Sequence, residues 1–341
     1  MQNSLIDHFS SIIGEKSRIV ITSHTNPDGD AIGSSLAFMW LLRNFGHDVA
    51  VVIPNMYPGF LSWMPGIEDI IIYEKSSKTA RKCLNEAAFI FCLDYNTIKR
   101  SGVLGDILPA TAAKKILIDH HPEPELDDFD FALSIVDISS TSELIFHLLK
   151  ETGLTQYIDE QIAACLYVGI MTDTGSFSHA IKFPETFRAT ASLIEAGIDA
   201  ERIHRLVYDT FSENRLKLLG YAISQCMIVF EEYRTAIIYL SKKDLKAFDF
   251  QIGDTEGIVN FPLSMAKINM AVLITEKKDQ VRLSFRSKGN FSVNDFARRH
   301  FEGGGHYNAA GGNSCLSLSE TIEKLRELLP GIKEEIDYLY E

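Results

Sequence analysis

Four short apolar runs constrain this chain more than any other feature: RIVITS (18–23), DVAVVIP (48–54), AFIFCLD (88–94) and KKILID (114–119), with FALSIV after them. They are rich in Val, Ile and Phe, and too short to be buried helices. Helix-like stretches lie between and after them, at AIGSSLAFMWLLRNFG, TSELIFHLLKETG and DEQIAACLYVGIMTD. Apolar strands alternating with helices predict a mainly parallel sheet covered on both faces. PETFRATASLIEAG and ENRLKLLGYAISQC continue the helical pattern, and the second carries the chain towards a further domain.

Beyond residue 230 or so the texture changes. TAIIYLS, MAVLITEK and QVRLSFRS read as strands, the last two joined as a hairpin by a short charged turn. FSVNDFARRHF reads as a helix leading into a glycine-rich loop, and ETIEKLRELLPGIKEE closes with an amphipathic pattern. At 341 residues the chain exceeds the usual limit of one core. The expected fold is α/β with two domains. A mainly parallel sheet flanked by helices occupies 1–200, a connecting helix or linker 201–230, and a smaller α/β domain with a mixed sheet 231–341.

The formal charge of −13 argues against a protein that coats long nucleic acid by charge alone. Cys83, Cys92, Cys165, Cys226 and Cys315 are scattered, odd in number and free of CxxC pairs, which speaks against a disulfide framework or a thiolate zinc site. The start of the chain lacks a basic segment followed by a long apolar one, and no apolar run approaches the ~18 residues of a spanning helix. A cytoplasmic protein without membrane attachment is expected.

The strand ends carry the chemistry. His24, Asp28 and Asp30 follow the first run, Asp94 ends the third, and Asp119-His120-His121 ends the fourth. In a parallel sheet these positions share the crevice beyond the carboxyl ends of the strands. Asp173 closes a helix in GIMTDTGSFSH and can reach the same edge. Any one of these acids alone reads as a helix cap or a solvated turn residue. Five acids and three histidines from four segments at one edge point instead to a two-metal site. Asp94 is suited to bridge two cations, because a bridging ligand needs two oxygens. Mixed imidazole and carboxylate donors favour Mn²⁺, with Mg²⁺, Co²⁺ or Zn²⁺ less suited.

These residues resemble the DHH phosphoesterase superfamily, named for the triplet found here as Asp119-His120-His121. Its first motif matches His24, Asp28, Asp30, Ala31, Gly33 and Ser34; its second matches Asp94 and its fourth Asp173. The resemblance implies one metal held by His24, Asp28 and Asp94, and another by Asp30, Asp94, His120 and Asp173. It further implies that His121 contacts the scissile phosphate, that Asp119 orients the histidines, and that Arg100 reaches substrate phosphate. Gly33 and Ser34 are expected to let the next helix start close to the phosphate, with its amides favouring negative charge. Ser140, Thr141 and Glu143 are expected to cap and begin a helix.

GGGHYNAAGG looks like the glycine-rich motif of the DHH-associated domain. Gly303, Gly304 and Gly305 would let backbone approach a phosphate to which His306 donates. SFRSKG resembles that domain's substrate strand, where Arg286 grips phosphate and Lys288 adds charge. Tyr307 stands where a smaller residue or proline is expected, either to stack on a base or to pack within the loop.

This layout is most similar to the oligoribonuclease and 3′-phosphoadenosine 5′-phosphate phosphatase branch. The expected activity is degradation of short RNA to nucleoside 5′-monophosphates, dephosphorylation of 3′-phosphoadenosine 5′-phosphate to AMP, or both, by hydroxide attack at two metals. Short RNA and this nucleotide are the expected partners, long duplexes are not, and a homodimer is compatible. Alternatives are a linear or cyclic dinucleotide phosphodiesterase and a single-strand DNA exonuclease. A family II pyrophosphatase is disfavoured by the glycine motif. A catalytically silent nucleotide-binding regulator is disfavoured because no ligand of the set is missing.

Overall fold

The computed structural model describes residues 5–181 and 183–337. The chain divides into two compact units between Thr210 and Phe211. In the first, strands β1 (Arg18–Thr22), β2 (Asp48–Ile53), β3 (Ile71–Ile72), β4 (Phe89–Leu93), β5 (Lys114–Asp119) and β6 (Phe131–Ser134) form one sheet. Their order is β3-β2-β1-β4-β5-β6, and every neighbouring pair is parallel. The chain runs outward from β1 and then returns to its other side at β4. That reversal opens a crevice beyond the carboxyl ends of these two strands.

Seven helices accompany the sheet: α1 (Leu5–Gly14), α2 (Gly29–Asn44), α3 (Tyr73–Glu86), α4 (Thr141–Glu151), α5 (Glu160–Asp173), α6 (Pro184–Glu195) and α7 (Ala200–Tyr208). Alternate strand residues enter two cores, as a period of two requires. Ile19, Ile21, Phe91, Leu93, Ile116 and Ile118 join the larger core with α1, α2, α4 and α5. Val20, Val52, Ile90, Cys92 and Leu117 face the other way, towards α3 and the turns near Ile98–Leu108. Both faces are therefore apolar, which explains the unbroken runs in the sequence.

α2 and α5 are buried nearly all round and meet through glycines. A Cβ on Gly33 would stand 2.5 Å from the Cys165 carbonyl oxygen. One on Gly169 would stand 1.9 Å from Ser142 Oγ and 2.6 Å from Asp30 Oδ1. The close approach of these helices thus needs residues with no side chain at both positions.

The second unit contains α8 (Glu213–Gln225), β7 (Met227–Phe230), β8 (Thr235–Leu240), α9 (Lys242–Ala247), β9 (Met270–Glu276), β10 (Val281–Ser287), α10 (Val293–His300), β11 (Gly304–His306), β12 (Ala309–Ser314) and α11 (Leu318–Leu328). Its strands form a mixed sheet in the order β11-β12-β10-β9-β8-β7, parallel only between β8 and β9. One face packs on α10 and α11, the other on α8 and α9. No helix among the described residues is long and apolar enough to cross a membrane.

Several elements escape the sequence reading, among them the short α1, α7, α9, β3 and β7, and two others show why. α3 buries only Tyr73, Ala80 and Leu84, so its polar surface hides its period. The expected glycine-rich loop is instead a hairpin of β11 and β12. Glycine's poor strand propensity conceals it, yet glycine is what lets these backbones come together. A Cβ on Gly303 would lie 2.1 Å from the Gly311 carbonyl oxygen, and one on Gly305 2.5 Å from that of Ala309.

Glycine substitution separates the two kinds of position. Gly33→Ala must push α2 off α5 and is expected to cost about 1–3 kcal/mol, lowering the urea midpoint of the first unit. Gly220→Ala, on α8 with nothing within 4 Å of the added carbon, is expected to raise stability by up to about 1 kcal/mol. Urea titration of both variants checks the contrast.

Candidate metal centre

Each donor arrives where a regular element stops. After β1 the chain turns through His24, and Asp28 caps α2 by accepting the N–H groups of Asp30 (3.0 Å) and Ala31 (3.1 Å). Asp94 follows β4, Asp119 is the last residue of β5 with His120 and His121 next, and Asp173 is the last residue of α5. All eight side chains singled out from these four segments converge on one edge of the sheet.

Asp94 stands at their centre. Its Oδ2 lies 3.4 Å from His24 Nε2, and its Oδ1 lies 3.4 Å from His120 Nε2 and 3.7 Å from His121 Nδ1. His24 Nε2 is also 3.9 Å from Asp28 Oδ2. His120 Nε2 is 3.4 Å from Asp173 Oδ2 and 3.9 Å from Asp30 Oδ2. Asp30, Asp94, Asp119 and the three histidines are buried, whereas Asp28 and Asp173 retain partial exposure.

The surrounding backbone aims these groups. His24 Nδ1 donates to the Thr25 carbonyl at 2.9 Å, which leaves the Nε2 lone pair facing Asp28 and Asp94. His121 donates from Nδ1 to Asp119 Oδ1 at 2.7 Å and from its backbone N–H to Oδ2 at 3.1 Å, which fixes the ring's orientation. Asp30 accepts the amides of Thr141 (2.7 Å) and Ser142 (2.9 Å), the open N–H groups at the start of α4.

Ser140 does cap α4, accepting the Glu143 amide at 3.0 Å. The segment does more than cap, however. The Thr141 hydroxyl donates to Asp94 Oδ1 at 3.0 Å. Sequence reading missed Thr141 and Ser142 as part of the centre. The available signal was a Ser-Ser-Thr-Ser run at the start of a helix that follows a strand of the same sheet.

The expectation for Gly33 and Ser34 is corrected. Both are buried in α2, with Gly33 against α5 and Ser34 bonded to the Ala31 carbonyl. The α2 amides nearest the centre already serve the Asp28 carboxylate. These small residues permit helix packing instead of approach to a phosphate.

The charges perturb one another strongly. Burial opposes ionisation of Asp94, but hydrogen bonds from His120 and His24 outweigh it and hold this carboxyl well below the usual range. Burial, with Asp94 and Asp173 nearby, pushes Asp30 well up. Burial also pushes Asp119 up to about 7. For His120 burial acts against the charged form, yet Asp94, Asp173 and Asp30 raise it to about 10. His24 is raised in the same way, against burial, chiefly by Asp94 and Asp28.

The donor set fits divalent cations. His24, Asp28 and Asp94 offer ligand atoms within 4.8 Å of one another, as do Asp30, Asp94 and His120. Asp94 is common to both trios and turns a different oxygen to each. Hard carboxylate oxygens with imidazole nitrogens, and no thiolate, suit Mn²⁺- or Mg²⁺-like ions. Arg100 lies close enough for its charge to lower the proton affinity of His24 and Asp119, and its carbonyl accepts the Thr25 amide at 2.8 Å.

In the second unit, Arg286 and His306 both pair with Ala309, from opposite sides of β12. Directly paired residues share a face, so a guanidinium and an imidazole flank one small side chain. Lys288 lies just beyond the end of β10 and donates to the Met265 carbonyl at 3.2 Å. Gly303 and Gly305 are taken up by contact with β12, and Gly304 alone of the three has no neighbour closer than 3.4 Å to an added Cβ. Tyr307 keeps its ring about half exposed while its hydroxyl donates to the Asn290 carbonyl at 2.6 Å.

Residues 18–170 match the family described as DHH family, N-terminal domain, and residues 236–336 match the DHHA1 domain. The chain is 30% identical over 313 residues to a probable bifunctional oligoribonuclease and PAP phosphatase NrnA of Streptococcus mutans, covering 91% of this chain and 93% of that one. It is 27% identical to the bifunctional oligoribonuclease and PAP phosphatase NrnA of Bacillus subtilis, over 93% and 95% of the two chains. A crystal structure of an exopolyphosphatase-related protein from Bacteroides fragilis superposes with a TM-score of 0.92 at 40% identity, covering 98% of this chain and 97% of that one.

The raised histidines make a measurable demand. A ligand imidazole must be neutral, so a divalent cation entering at neutral pH displaces the proton that His120 holds up to about 10. Cation affinity is therefore expected to rise with pH, by about tenfold per pH unit for each proton released. Calorimetric titration with Mn²⁺ in buffers of different ionisation enthalpy reads the proton count directly; a buffer-independent heat would contradict it. The residues responsible lie in or directly beside the matched N-terminal domain, and the chain belongs to the DHH family of phosphoesterases.

Proposed function

We propose that the chain hydrolyses phosphate esters of short oligoribonucleotides and of 3′-phosphoadenosine 5′-phosphate, using two divalent cations with Mn²⁺ favoured. One observation carries this reading: Asp94 presents one carboxylate oxygen to His24 and the other to His120 and His121. A single residue facing two donor groups in this way suits a pair of cations. His24, Asp28 and Asp94 would hold one ion; Asp30, Asp94, His120 and Asp173 the other. Bound there, the ions would supply a nucleophile at neutral pH and offset charge on the entering and leaving oxygens.

The chain's own groups do the rest. His121, with Nδ1 committed to Asp119, would meet the scissile phosphate through Nε2, donating to it as the imidazolium. The Arg100 guanidinium adds positive charge on the His24 side. In the second unit, Arg286, Lys288 and His306 would bind phosphate of the substrate. Recognition by a few fixed cations suits short substrates and does not call for a long basic track, which the acidic composition lacks. The resemblance of the whole chain to the two NrnA proteins supports the choice of substrates.

The test is a panel of short RNA oligomers, longer RNA, DNA, 3′-phosphoadenosine 5′-phosphate, linear dinucleotides and pyrophosphate, each with Mn²⁺. Release of nucleoside monophosphates from short RNA and of phosphate from 3′-phosphoadenosine 5′-phosphate is expected, and chelation should end both. Asp94→Ala should lower kcat by on the order of a thousandfold or more. Arg286→Ala should raise KM roughly ten- to a hundredfold, the worth of a charged hydrogen bond, with metal content unchanged. Turnover that survives chelation, or confined to pyrophosphate, would overturn the assignment.

A further inference from the structure

We propose that Tyr95 and Asn96 are positioning residues that pin Asp94 between the two loops it must serve. The inference rests on the reading of the cluster as a divalent-cation centre. Asp94 has φ +65°, in the left-handed region, a conformation that costs a residue with a side chain about 1–2 kcal/mol. Aspartate tolerates it better than most residues, but something must hold the turn. On one side the Asp94 amide continues the ladder, donating to the Ile118 carbonyl at 3.1 Å. The next two residues reach away in different directions.

Tyr95 is wholly buried and among the largest such side chains of the chain. Its hydroxyl lies 2.7 Å from Thr22 Oγ1. Thr22 Oγ1 also lies 3.3 Å from the Phe91 carbonyl and 3.8 Å from Cys92 Sγ, so the two hydroxyls share one bond at the end of β1. Thr22 is the last residue of β1, two before His24. Phenylalanine would fill the same space in this apolar core, so the hydroxyl must be explained by what it ties. It links the turn after Asp94 to the strand that delivers His24.

Asn96 makes the matching tie on the other side. Its side-chain amide donates to the Pro122 carbonyl at 2.6 Å, and lies 3.4 Å from the Glu123 carbonyl. Two carbonyls facing the amide settle which way it points. Its own carbonyl accepts the Glu125 amide at 2.9 Å. Pro122 directly follows His121. The sequence Asp94-Tyr95-Asn96 thus couples three loops: the one bearing His24, its own, and the one bearing His120 and His121. Displacing the turn by a fraction of an ångström would move each Asp94 oxygen relative to a different histidine.

The test reads cation binding, apart from any substrate. Mn²⁺ is titrated into the full chain, and the electron paramagnetic resonance signal of free Mn²⁺ gives the affinity. Tyr95→Phe and the isosteric Thr22→Val are each expected to weaken binding about tenfold or more, the usual effect of losing a partner that orients a ligand. The double variant should be no worse than Thr22→Val alone, because that substitution already breaks the bond that Tyr95→Phe removes. Asn96→Asp, which faces carbonyls with a carboxylate, should act in the same direction. With the substrate that wild type turns over, kcat should fall while KM stays constant. Wild-type Mn²⁺ affinity in a folded Tyr95→Phe or Thr22→Val variant, whatever its melting temperature, overturns the proposal, as does an additive double variant. If the wild-type chain itself takes up no Mn²⁺, the metal reading fails first.

Discussion

The structure of the first unit depends on how several carboxylates tolerate one another at close range out of water. An ionised carboxylate loses solvation on burial and is repelled by its neighbours. Asp94 and Asp30 meet these costs differently. Asp94 sits among three imidazoles and a threonine hydroxyl, which favour its charge. Asp30 has two amides at the head of α4 but also two acidic neighbours, and its proton is held tightly. The raised proton affinities of His24 and His120 and of Asp30 are responses to the same excess of negative charge. A divalent cation on either side of Asp94 would relieve both.

That arrangement needs backbone elements brought unusually close. Gly33 and Gly169 allow α2 and α5 to touch, and Gly169 leaves room for Ser142 beside Asp30. The donors on α2, α4 and α5 are within reach of one another because no side chain stands between these helices at Gly33 and Gly169. A comparable device recurs in the second unit, where glycines let β11 lie on β12 and set Arg286 and His306 around Ala309. In both units the glycines shape contacts within the chain, and these contacts set the positions of the candidate side chains.

The parallel sheet and the gathering of His24, Asp28, Asp30, Asp94, Asp119, His120, His121 and Asp173 were legible before any coordinates, because strand ends in such a sheet share an edge. Elements with a nearly unbroken apolar run, such as α2, α5 and β5, were legible too. α3, with three buried residues, and the glycine strands were not, since each lacks the pattern that marks its type. Ser140, Thr141 and Glu143 were read as a helix start, and they cap and begin α4; Thr141 and Ser142 also bond the centre. Their bonds to Asp30 and Asp94 join residues more than forty positions apart, which no local pattern encodes.

The sequence by itself determined the kinds of donor, their attachment to the ends of strands and a helix, and hence the chemistry they can support. Local patterning suffices there, because alternation of strands and helices dictates a parallel sheet and the sheet dictates a common edge. The tertiary structure alone decided which oxygen of Asp94 faces which histidine and which ring nitrogen of each imidazole faces it. It also decided why Gly33 is glycine, and what holds the strained turn at Asp94. Those matters are set by distances of about an ångström between segments far apart in the chain, and only packing fixes such distances.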